Sequence, residues 1–402
     1  MSGSRALETN IDINRPGGPI PFDWHPRTRI VYGNDSIDQL GSLAAGLDVR
    51  RVMVVSDPGI VAAGHTEHAL QALGKVGLET ALFDGAGENP TTAHVQAGVE
   101  FAHQFRPDLL IGLGGGSSLD CAKGINFIYS CGGEMRDYWG VDKATGPMLP
   151  LIGVPTTAGT GSELQSFALI SDVETQTKMA CGDRRASCVI AILDPKLTLT
   201  QPARVTALTG IDAISHALET WVTRPRNPVS MMCSLQAWKL VSSSFCQVVE
   251  TPHDLEARGG MLLGAAWAGM AIENSMLGAA HALANPLTSR YGMAHGQAVG
   301  VMLPHVIRFN GEEFGDWYDQ LNAAGVPGGS GRIPGVAGAS GLAALVEEQL
   351  RVAGLETDLQ ACAVQREHIP ELAEVAARQW TGQFNPRPVD ADILAGLYEN
   401  AF

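Results

Sequence analysis

Two patterns of hydrophobic and polar positions divide the chain near residue 195. Before this point, short apolar runs rich in β-branched residues alternate with longer amphipathic segments, and the runs are 51–56, 80–83, 109–113, 151–154 and 189–193. That alternation is typical of a parallel sheet with helices on its faces. Beyond residue 195 the pattern changes to long helical stretches, such as 203–222 and 228–249, with little that resembles a strand. We therefore predict an α/β domain with a mostly parallel sheet over 1–195 and an all-α domain over 196–402.

Three further stretches refine this organisation. The first 20 residues mix Arg, Glu and Asp without a continuous apolar core, which predicts a loose tail rather than a signal or transit peptide. The segment 325–341 is rich in Gly and Pro and predicts a loop between helices. The uncharged run 259–272 is shorter than the roughly 20 residues that a membrane span needs, so it predicts a buried helix. We expect no membrane association.

Composition narrows the classes of partner and compartment. The chain has 402 residues, 42 acidic and 27 basic side chains and a formal net charge of −15, without a basic stripe. Nucleic-acid binders normally carry a basic surplus, so nucleic acid is excluded as the expected partner. The seven cysteines form no CxxC pair and no even framework. They indicate reduced thiols and a cytoplasmic location.

A glycine cluster follows the predicted strand 109–113. Its sequence, GGGSSLD over 114–120, leads into a predicted helix, so backbone N–H groups and the positive helix end could hold a pyrophosphate. The cluster differs from the usual dinucleotide fingerprint, because it follows a later strand and no acid lies about 20 residues beyond it. A turn that only packs a helix against the sheet is the alternative.

Two other strand ends carry polar residues. The strand 151–154 is followed by PTTAGTGSE, whose hydroxyls and glycines suit phosphate and ribose oxygens, although a capped polar loop is the alternative. Asp57, after the first predicted strand, could accept hydrogen bonds from an adenosine ribose and repel a 2′-phosphate, which would favour NAD over NADP. Asp57 could equally begin the following turn.

One aspartate and three histidines in the second half suggest a metal site. Asp212 and His216 are spaced i, i+4 on a predicted helix in an apolar setting, where an unpaired carboxylate is costly. With His281 and His295 they offer oxygen and nitrogen donors suited to Fe²⁺ or Zn²⁺. His253 and His305 have no partner at a suitable spacing, and we interpret both as surface or helix-end residues.

From about residue 22 to the end, the chain resembles the iron-containing (group III) alcohol dehydrogenases. The motifs that carry the resemblance are VVSDPGI, GENPT, GGGSSLDCAK, PTTAGTGSE, LDPKLT, TGIDAISHALE, GAAHALANPL, GMAHGQAVGVMLPHVIRFN and FNPRPV. The resemblance implies a Rossmann-like α/β domain that binds NAD(P), a helical domain that holds the metal, and an active site in the cleft between them. We expect a homo-oligomer, namely a dimer.

The resemblance also implies the site residues. The metal ligands of the family correspond to Asp212, His216, His281 and His295. Its cofactor residues correspond to Asp57, Asn89, Gly115, Gly116, Ser117, Asp120, Thr156 and Thr157, with Lys178 added. We expect NAD rather than NADP, and one divalent metal, with Fe²⁺ favoured over Zn²⁺.

The chain departs from the family pattern at Asn285. The usual H-x-x-x-H-P-L-G becomes HALANPLT over 281–288, so a histidine beside nicotinamide and substrate is replaced by Asn285. We predict that Asn285 belongs to the catalytic pocket, together with apolar residues such as Trp267 and Met270. This departure leaves the substrate and its proton path open.

The resemblance implies an NAD(H)-linked dehydrogenase that interconverts small alcohols with aldehydes or ketones by hydride transfer, with the metal as Lewis acid. Two enzymes are alternatives: a 3-dehydroquinate synthase-like enzyme, which would need a pocket rich in Lys and Arg, and a metal-free reductase resembling the maleylacetate reductases. A non-catalytic nucleotide-binding module is a third alternative, and it leaves the four donor residues without a role.

Overall fold

A parallel sheet and a set of long helices make up the two parts of the chain. The computed structural model describes residues 22–175, 177–323 and 338–402. The predicted tail over 1–20 and most of the predicted loop over 325–341 lie outside these ranges. None of the helices in the three ranges is both long and apolar enough to cross a membrane.

The strands are confined to the first 193 residues among those described. They are β1 (Arg29–Tyr32), β2 (Arg51–Val55), β3 (Glu79–Phe83), β4 (Leu109–Gly114), β5 (Gly140–Val141), β6 (Leu151–Pro155), β7 (Phe167–Ser171), β8 (Lys178–Gly182) and β9 (Ile190–Leu193). Six of them form an all-parallel sheet in the order β1-β9-β6-β4-β2-β3. The five predicted strands are therefore confirmed as β2, β3, β4, β6 and β9.

Helices alternate with these strands in the first part of the chain, and the described residues of the second part form helices without strands. The helices of the first part are α1 (Leu40–Ala45), α2 (Pro58–Ala62), α3 (His65–Gly74), α4 (Thr92–Phe105) and α5 (Gly116–Cys131). Those of the second part are α6 (Ala203–Val222), α7 (Pro228–Glu250), α8 (Leu255–Ser275), α9 (Ala279–Tyr291), α10 (His295–Ala323), α11 (Gly338–Val352), α12 (Ile369–Ala377) and α13 (Ala391–Asn400). The predicted fold class, an α/β part followed by an all-helical part, is confirmed.

The sequence pattern missed the outer strand β1 and a second, smaller sheet. This sheet has the order β5-β8-β7, and β7 pairs antiparallel with β8. Strand β8 combines the exposed Lys178 with buried positions, so it shows no clear alternation of hydrophobic and polar residues. The small sheet matters for the site because β8 carries Lys178 and the N–H of Leu169 in β7 donates to Asp120.

Apolar side chains fill both faces of the large sheet and the interior of the helical part. One cluster packs α4 and α5 against one face, a second packs α1 and α3 against the other, and a third lies among α6 to α13. The run 259–272, predicted as a buried helix, lies within α8. This burial fixes the strand ends and the helix starts that carry the site.

The loop after β6 joins the two parts by direct contact of backbones. A Cβ atom added to Gly269 of α8 would lie 2.2 Å from the carbonyl oxygen of Gly161, and one added to Gly161 would lie 2.5 Å from the oxygen of Ala265. Gly161 also has a φ of +61°, which side chains rarely adopt. Nearby, Ser166 donates to Glu273 through its N–H (2.9 Å) and its hydroxyl (2.8 Å). The α/β part is therefore held closely against α8.

Candidate active site

The glycine cluster lies where the order of the strands along the sheet reverses. Strand β3 lies on one side of β2 and strand β4 on the other, so β2 and β4 flank the position where the order reverses. In open α/β sheets, ligands bind beyond the carboxyl ends of strands at this position. Gly115 is the N-cap of the 16-residue helix α5 and provides no side-chain cap. The first N–H groups of α5 are therefore available to an anion.

A second glycine explains why the loop approaches α5 so closely. Gly114 has a φ of +146°, and a Cβ atom there would lie 2.5 Å from the hydroxyl of Ser118. The loop therefore needs glycine at this point, with no room for a side chain. Both interpretations of the cluster, a phosphate cradle and a close helix packing, agree with this geometry.

Asp57 lies against the glycine cluster and caps a helix as well. Its Oδ1 atom accepts from the N–H groups of Gly59 (3.0 Å) and Ile60 (3.1 Å), so it caps α2. Its Oδ2 atom accepts from the hydroxyl of Ser118 at 2.9 Å. Asp57 therefore does begin the following turn, as one of the two interpretations predicted. Its carboxylate also borders the predicted cofactor site.

The other predicted cofactor residues divide into two groups. Those near the start of α5 are Asn89, Ser117, Thr156 and Thr157: the N–H of Asn89 donates to Ser117 Oγ (3.2 Å), the N–H of Thr156 donates to the oxygen of Gly114 (2.9 Å), and Thr157 lies beside Gly115. Thr156 Oγ1 is buried and has no hydrogen-bond partner among the described residues. Such an oxygen is free for a ligand.

Asp120 and Lys178 lie further from the helix start. Asp120 is buried, and its carboxylate accepts from Ser162 Oγ (2.6 Å) and from the N–H of Leu169 (3.2 Å). These bonds tie α5 to the loop after β6 and to strand β7. Lys178 lies on β8, and its charge interacts with those of Asp120 and Asp212.

Three of the four predicted metal ligands, Asp212, His216 and His281, have donor atoms within 4.8 Å of one another in the helical part, and His295 lies beside them. Asp212 and His216 lie one turn apart on α6, His281 lies in the first turn of α9, and His295 begins α10. The Oδ1 atom of Asp212 lies 3.4 Å, 3.7 Å and 3.8 Å from the Nε2 atoms of His216, His281 and His295. His253 and His305 do not join this group: His253 is exposed, and His305 lies beside Arg308 and Glu347.

The state of these atoms fits a bound cation. Asp212 Oδ1 and His281 Nε2 are buried and lack hydrogen-bond partners among the described residues. Burial would raise the pKa of Asp212, but the neighbouring histidines lower it well below its usual range. Burial lowers the pKa values of His216 and His295. Burial acts in the same direction on His281, but the charges of Glu219 and Asp212 raise the pKa of His281 to about 9, so metal binding there would release a proton. A carboxylate and neutral imidazoles with free lone pairs are the form in which these side chains bind divalent metals.

Sequence reasoning missed Glu219, which supports this group from behind. Its carboxylate is buried at 4% exposure, contacts His281 Nδ1, and accepts from the N–H of Ala280 at 2.8 Å. Glu219 lies seven residues after Asp212, on the same face of α6. A buried acid in phase with two metal-ligand candidates was the signal that could have revealed it.

Asn385, in the C-terminal motif FNPRPV, also holds the start of α9. Its Oδ1 atom accepts from the N–H of Ala279 at 3.3 Å, and its amide exchanges two hydrogen bonds with Asn310, of 2.8 Å and 3.1 Å. Asn385 is 2% exposed. The last segment of the chain therefore contributes to the position of His281.

Asn285 lies one turn after His281 on α9 and has an unforeseen partner. Its Nδ2 atom donates to Gln379 Oε1 at 3.0 Å. The next residue, Trp380, stands 5.8 Å, centroid to centroid, from Phe167 of β7, so this contact links the helical part to the small sheet. Trp267 and Met270, both partly buried, pack against a small cluster of Val229, Cys233 and Ala271 between α7 and α8.

The loop after β6 and strand β8 bring the two groups of predicted residues near each other. The backbone of Gly159, in the loop after β6, lies beside the ring of His216. Lys178 of β8 interacts electrostatically with both Asp212 and His295. A helix start that can bind phosphate thus adjoins a donor set that can bind a metal. Such an arrangement can bring a dinucleotide and a metal to one substrate.

Comparisons with known proteins agree with this arrangement. A family model described as iron-containing alcohol dehydrogenase matches residues 26–195, and the C-terminal model of that family matches 206–402. The 1,3-propanediol dehydrogenase of Klebsiella pneumoniae is 32% identical over 387 residues, which cover 95% of this chain and 99% of that one. The NAD-dependent methanol dehydrogenase of Bacillus methanolicus is 31% identical, with 92% and 97% covered. A crystal structure of 1,3-propanediol oxidoreductase superposes with a TM-score of 0.90 at 30% identity, covering 95% of this chain and all of that one.

Glu163, at the end of the loop after β6, provides a test of this loop. It is 2% exposed, and burial raises its pKa to about 7, although the charge of Lys123 acts in the opposite direction. A carboxyl whose pKa is higher in the folded than in the unfolded chain is destabilising once it ionises. The free energy of unfolding should therefore fall as the pH rises from the unfolded pKa, about 4.3, through 7.

We predict that Glu163→Gln abolishes this fall in the free energy of unfolding with rising pH. Relative to the wild type, the variant should gain up to about 3 kcal/mol in free energy of unfolding between pH 5 and pH 8, from the shift in pKa. Urea denaturation at several pH values measures the difference, and Glu367→Gln, at an exposed position, is the control. A constant difference between variant and wild type across this range would contradict the prediction.

Proposed function

This chain belongs to the iron-containing alcohol dehydrogenase family, and we propose that Asp212, His216, His281 and His295 hold its catalytic metal. The enzyme is an NAD-linked oxidoreductase that interconverts alcohols with aldehydes or ketones. The observation that carries the ligand proposal is the convergence of three imidazole Nε2 atoms on Asp212 Oδ1, an oxygen without another partner among the described residues. The donor set suits Fe²⁺, with Zn²⁺ as the second choice.

The side chains around the proposed metal position have different roles. When bound, the divalent metal supplies Lewis acidity that polarises the oxygen of the substrate. Asp212, His216 and His281 are buried, so they keep bulk water from one side of this position. His295 is more open, at 29% side-chain exposure, and marks the side from which a substrate reaches the group.

We propose that the cofactor lies along the carboxyl ends of β2, β4 and β6. The residues around the start of α5 that would hold it are Asp57, Asn89, Gly115, Gly116, Ser117, Thr156 and Thr157. The cofactor, when bound, accepts or donates the hydride. Asp120 is also proposed as a cofactor residue, and it ties α5 to the neighbouring loop through its hydrogen bonds with Ser162 and Leu169. Lys178 contributes positive charge between cofactor and metal sites.

Asn285 and Gln379 form the proposed neutral end of the substrate pocket. Both side chains are amides, and they are joined by a hydrogen bond of 3.0 Å. An amide has fixed donors and an acceptor but no proton to exchange at neutral pH. This pair therefore orients a hydroxyl or carbonyl group without carrying its proton. A small, uncharged alcohol or aldehyde is the substrate class that fits.

The alternative enzymes are less well supported. A metal-free reductase would leave the convergent donors at Asp212 without a role, at a cost in buried charge. The 3-dehydroquinate synthase-like alternative needs a cationic pocket, whereas Asn285 and Gln379 are neutral. A non-catalytic module is excluded by membership of a family of dehydrogenases.

Three organisational features belong to the same proposal. We propose that the two parts divided near residue 195 are domains, and that the protein is cytoplasmic, which the seven cysteines support since all of them are free. A homodimer is proposed on the family resemblance, and sedimentation velocity tests it.

Removal of one ligand tests the metal site. His281→Ala should lose bound metal and nearly all turnover, yet still bind NADH, because the predicted cofactor residues lie on the other part of the chain. Elemental analysis of protein purified without oxygen, a turnover assay and NADH fluorescence measure the three quantities. His305→Ala should keep its metal. Undiminished metal and turnover in His281→Ala would refute the ligand assignment.

The choice of cofactor tests Asp57. Asp57→Asn keeps an oxygen that can cap α2 but removes the charge that would face a 2′-phosphate. The ratio of kcat/KM for NADP to that for NAD should rise by about tenfold, which corresponds to about 1.4 kcal/mol of relieved repulsion between charges. Asp57→Glu, which keeps the charge, is the control. An unchanged ratio in Asp57→Asn would show that Asp57 does not face the ribose.

Substitution of Asn285 tests the neutral end of the pocket. Asn285→His should add an ionisation to the pH dependence of kcat, because an imidazole titrates near pH 6.5 and an amide does not. Asn285→Ala should alter KM for the alcohol more than the pH profile. If the profile of Asn285→His superimposes on that of the wild type and only KM changes, Asn285 has only a shaping role.

A further inference from the structure

Glu219 contacts the proposed metal group without belonging to its donor set. It lies on α6, the helix that also carries Asp212 and His216, and its carboxylate is 4% exposed. One oxygen, Oε2, contacts His281 Nδ1, and the other, Oε1, accepts from the N–H of Ala280 at 2.8 Å. The two oxygens thus meet two consecutive residues at the start of α9.

The opposite nitrogen of His281 is the one directed at Asp212. His281 Nε2 lies 3.7 Å from Asp212 Oδ1 and is buried without a hydrogen-bond partner among the described residues. A neutral imidazole carries its proton on one nitrogen and a lone pair on the other. A carboxylate can only accept, so a neutral His281 beside Glu219 carries its proton on Nδ1. Its Nε2 lone pair then faces the metal group.

We propose that Glu219 is a positioning residue, which holds His281 in the Nδ1–H tautomer and fixes its ring so that Nε2 can bind the metal. The proposal rests on the metal site proposed above. Metal-bound histidines commonly donate their second N–H to a carboxylate, which orients the ring and raises its basicity. Here the same carboxylate also satisfies a free N–H in the first turn of the helix that carries the histidine.

The spacing along α6 explains how this support is built. Positions 212, 216 and 219 are i, i+4 and i+7, so one helix face presents two proposed ligands and the support of a third. The turn before α9 leaves room for the carboxylate, because Gly278 has no side chain: a Cβ atom there would lie 3.0 Å from Glu219 Oε1. The register of α9 against α6 is therefore tied to the tautomer of His281.

A carboxylate is required because two donors must be satisfied at once. The N–H of Ala280 and the Nδ1–H of His281 each need an acceptor, and a glutamine at position 219 has only one acceptor oxygen. If that oxygen serves Ala280, the amide N–H₂ group faces His281 and favours the tautomer with its proton on Nε2. That tautomer cannot bind the metal through Nε2. Glutamine keeps the size of the side chain, so Glu219→Gln isolates this effect.

The experiment compares Glu219→Gln with a control at the same end of α9. Asn385→Ala removes the acceptor for the N–H of Ala279, one residue before Ala280, whereas the hydrogen bond to His281 Nδ1 comes from Glu219. Both variants should lower the melting temperature of the metal-free protein. Glu219→Gln should weaken Zn²⁺ binding by about 10- to 100-fold in competition with a chromophoric chelator, and clearly more than Asn385→Ala, which loosens the start of α9 but leaves the tautomer of His281 unchanged. Its Co²⁺ form should also show a changed d–d absorption spectrum.

A direct measurement on the wild type covers the case in which Glu219→Gln does not fold. In metal-free protein with ¹⁵N-labelled histidine rings, the neutral form of His281 should show its proton on Nδ1 and its lone pair on Nε2. A proton on Nε2 would overturn the proposal. So would equal losses of Zn²⁺ affinity in Glu219→Gln and Asn385→Ala, or wild-type affinity and Co²⁺ spectrum in Glu219→Gln.

Failure of this proposal differs from failure of the metal site. If the wild type binds no Zn²⁺, or if His281→Ala binds it as tightly as the wild type, the ligand assignment is wrong. If His281→Ala loses Zn²⁺ while Glu219→Gln keeps it, the ligand assignment stands and Glu219 serves only as a helix cap.

Discussion

The buried carboxylate of Asp212 is the constraint on which the helical part depends. One of its oxygens has no hydrogen-bond partner among the described residues, and a negative charge in such a place is costly without a cation. Further groups that compensate this charge have to come from other helices, because His216 is the one histidine that α6 places in phase with Asp212. The starts of α9 and α10 bring His281 and His295 to the same atom. Three helices are thus aligned by one oxygen.

Support for this alignment extends outward to the end of the chain. Asn385 holds the first turn of α9 and pairs with Asn310 of α10. Two residues later, Arg387 forms ion pairs with Glu312 (2.7 Å) and Glu313 (2.9 Å) at the surface of α10. Exposed ion pairs contribute little to stability, so the buried amide pair is the stronger part of this link. The C-terminal motif therefore fixes the geometry of a site far from it in sequence.

Local patterns predicted what depends on neighbouring residues. The five strands, the helices and the i, i+4 pair of Asp212 and His216 all follow from periodicity, which acts over a few residues. Nothing local brings His281 and His295 to that pair: donor chemistry suggested the two residues and the family resemblance implied them, but spacing could not place them together. Glu219 was missed because a helical acid usually faces solvent, and its burial is decided by the packing of α9.

Other differences also arise from tertiary contacts. The carboxylate of Asp120 bonds to Ser162 and Leu169, and neither partner could be chosen from spacing alone. Gln379 reaches Asn285 across 94 positions of sequence. Such partners depend on how α12 returns to α9, which no short pattern encodes.

The contact between Gly161 and Gly269 limits how this enzyme can diverge. At most packing positions, a larger side chain on one side is accommodated by a smaller one opposite, so sequences drift in pairs. Neither of these residues has a side chain to give up, and the atoms in contact are peptide groups common to every amino acid. The joint therefore has no compensating substitution. In related sequences the pocket around Asn285 can change one substitution at a time, whereas the packing of the loop after β6 against α8 has to be conserved.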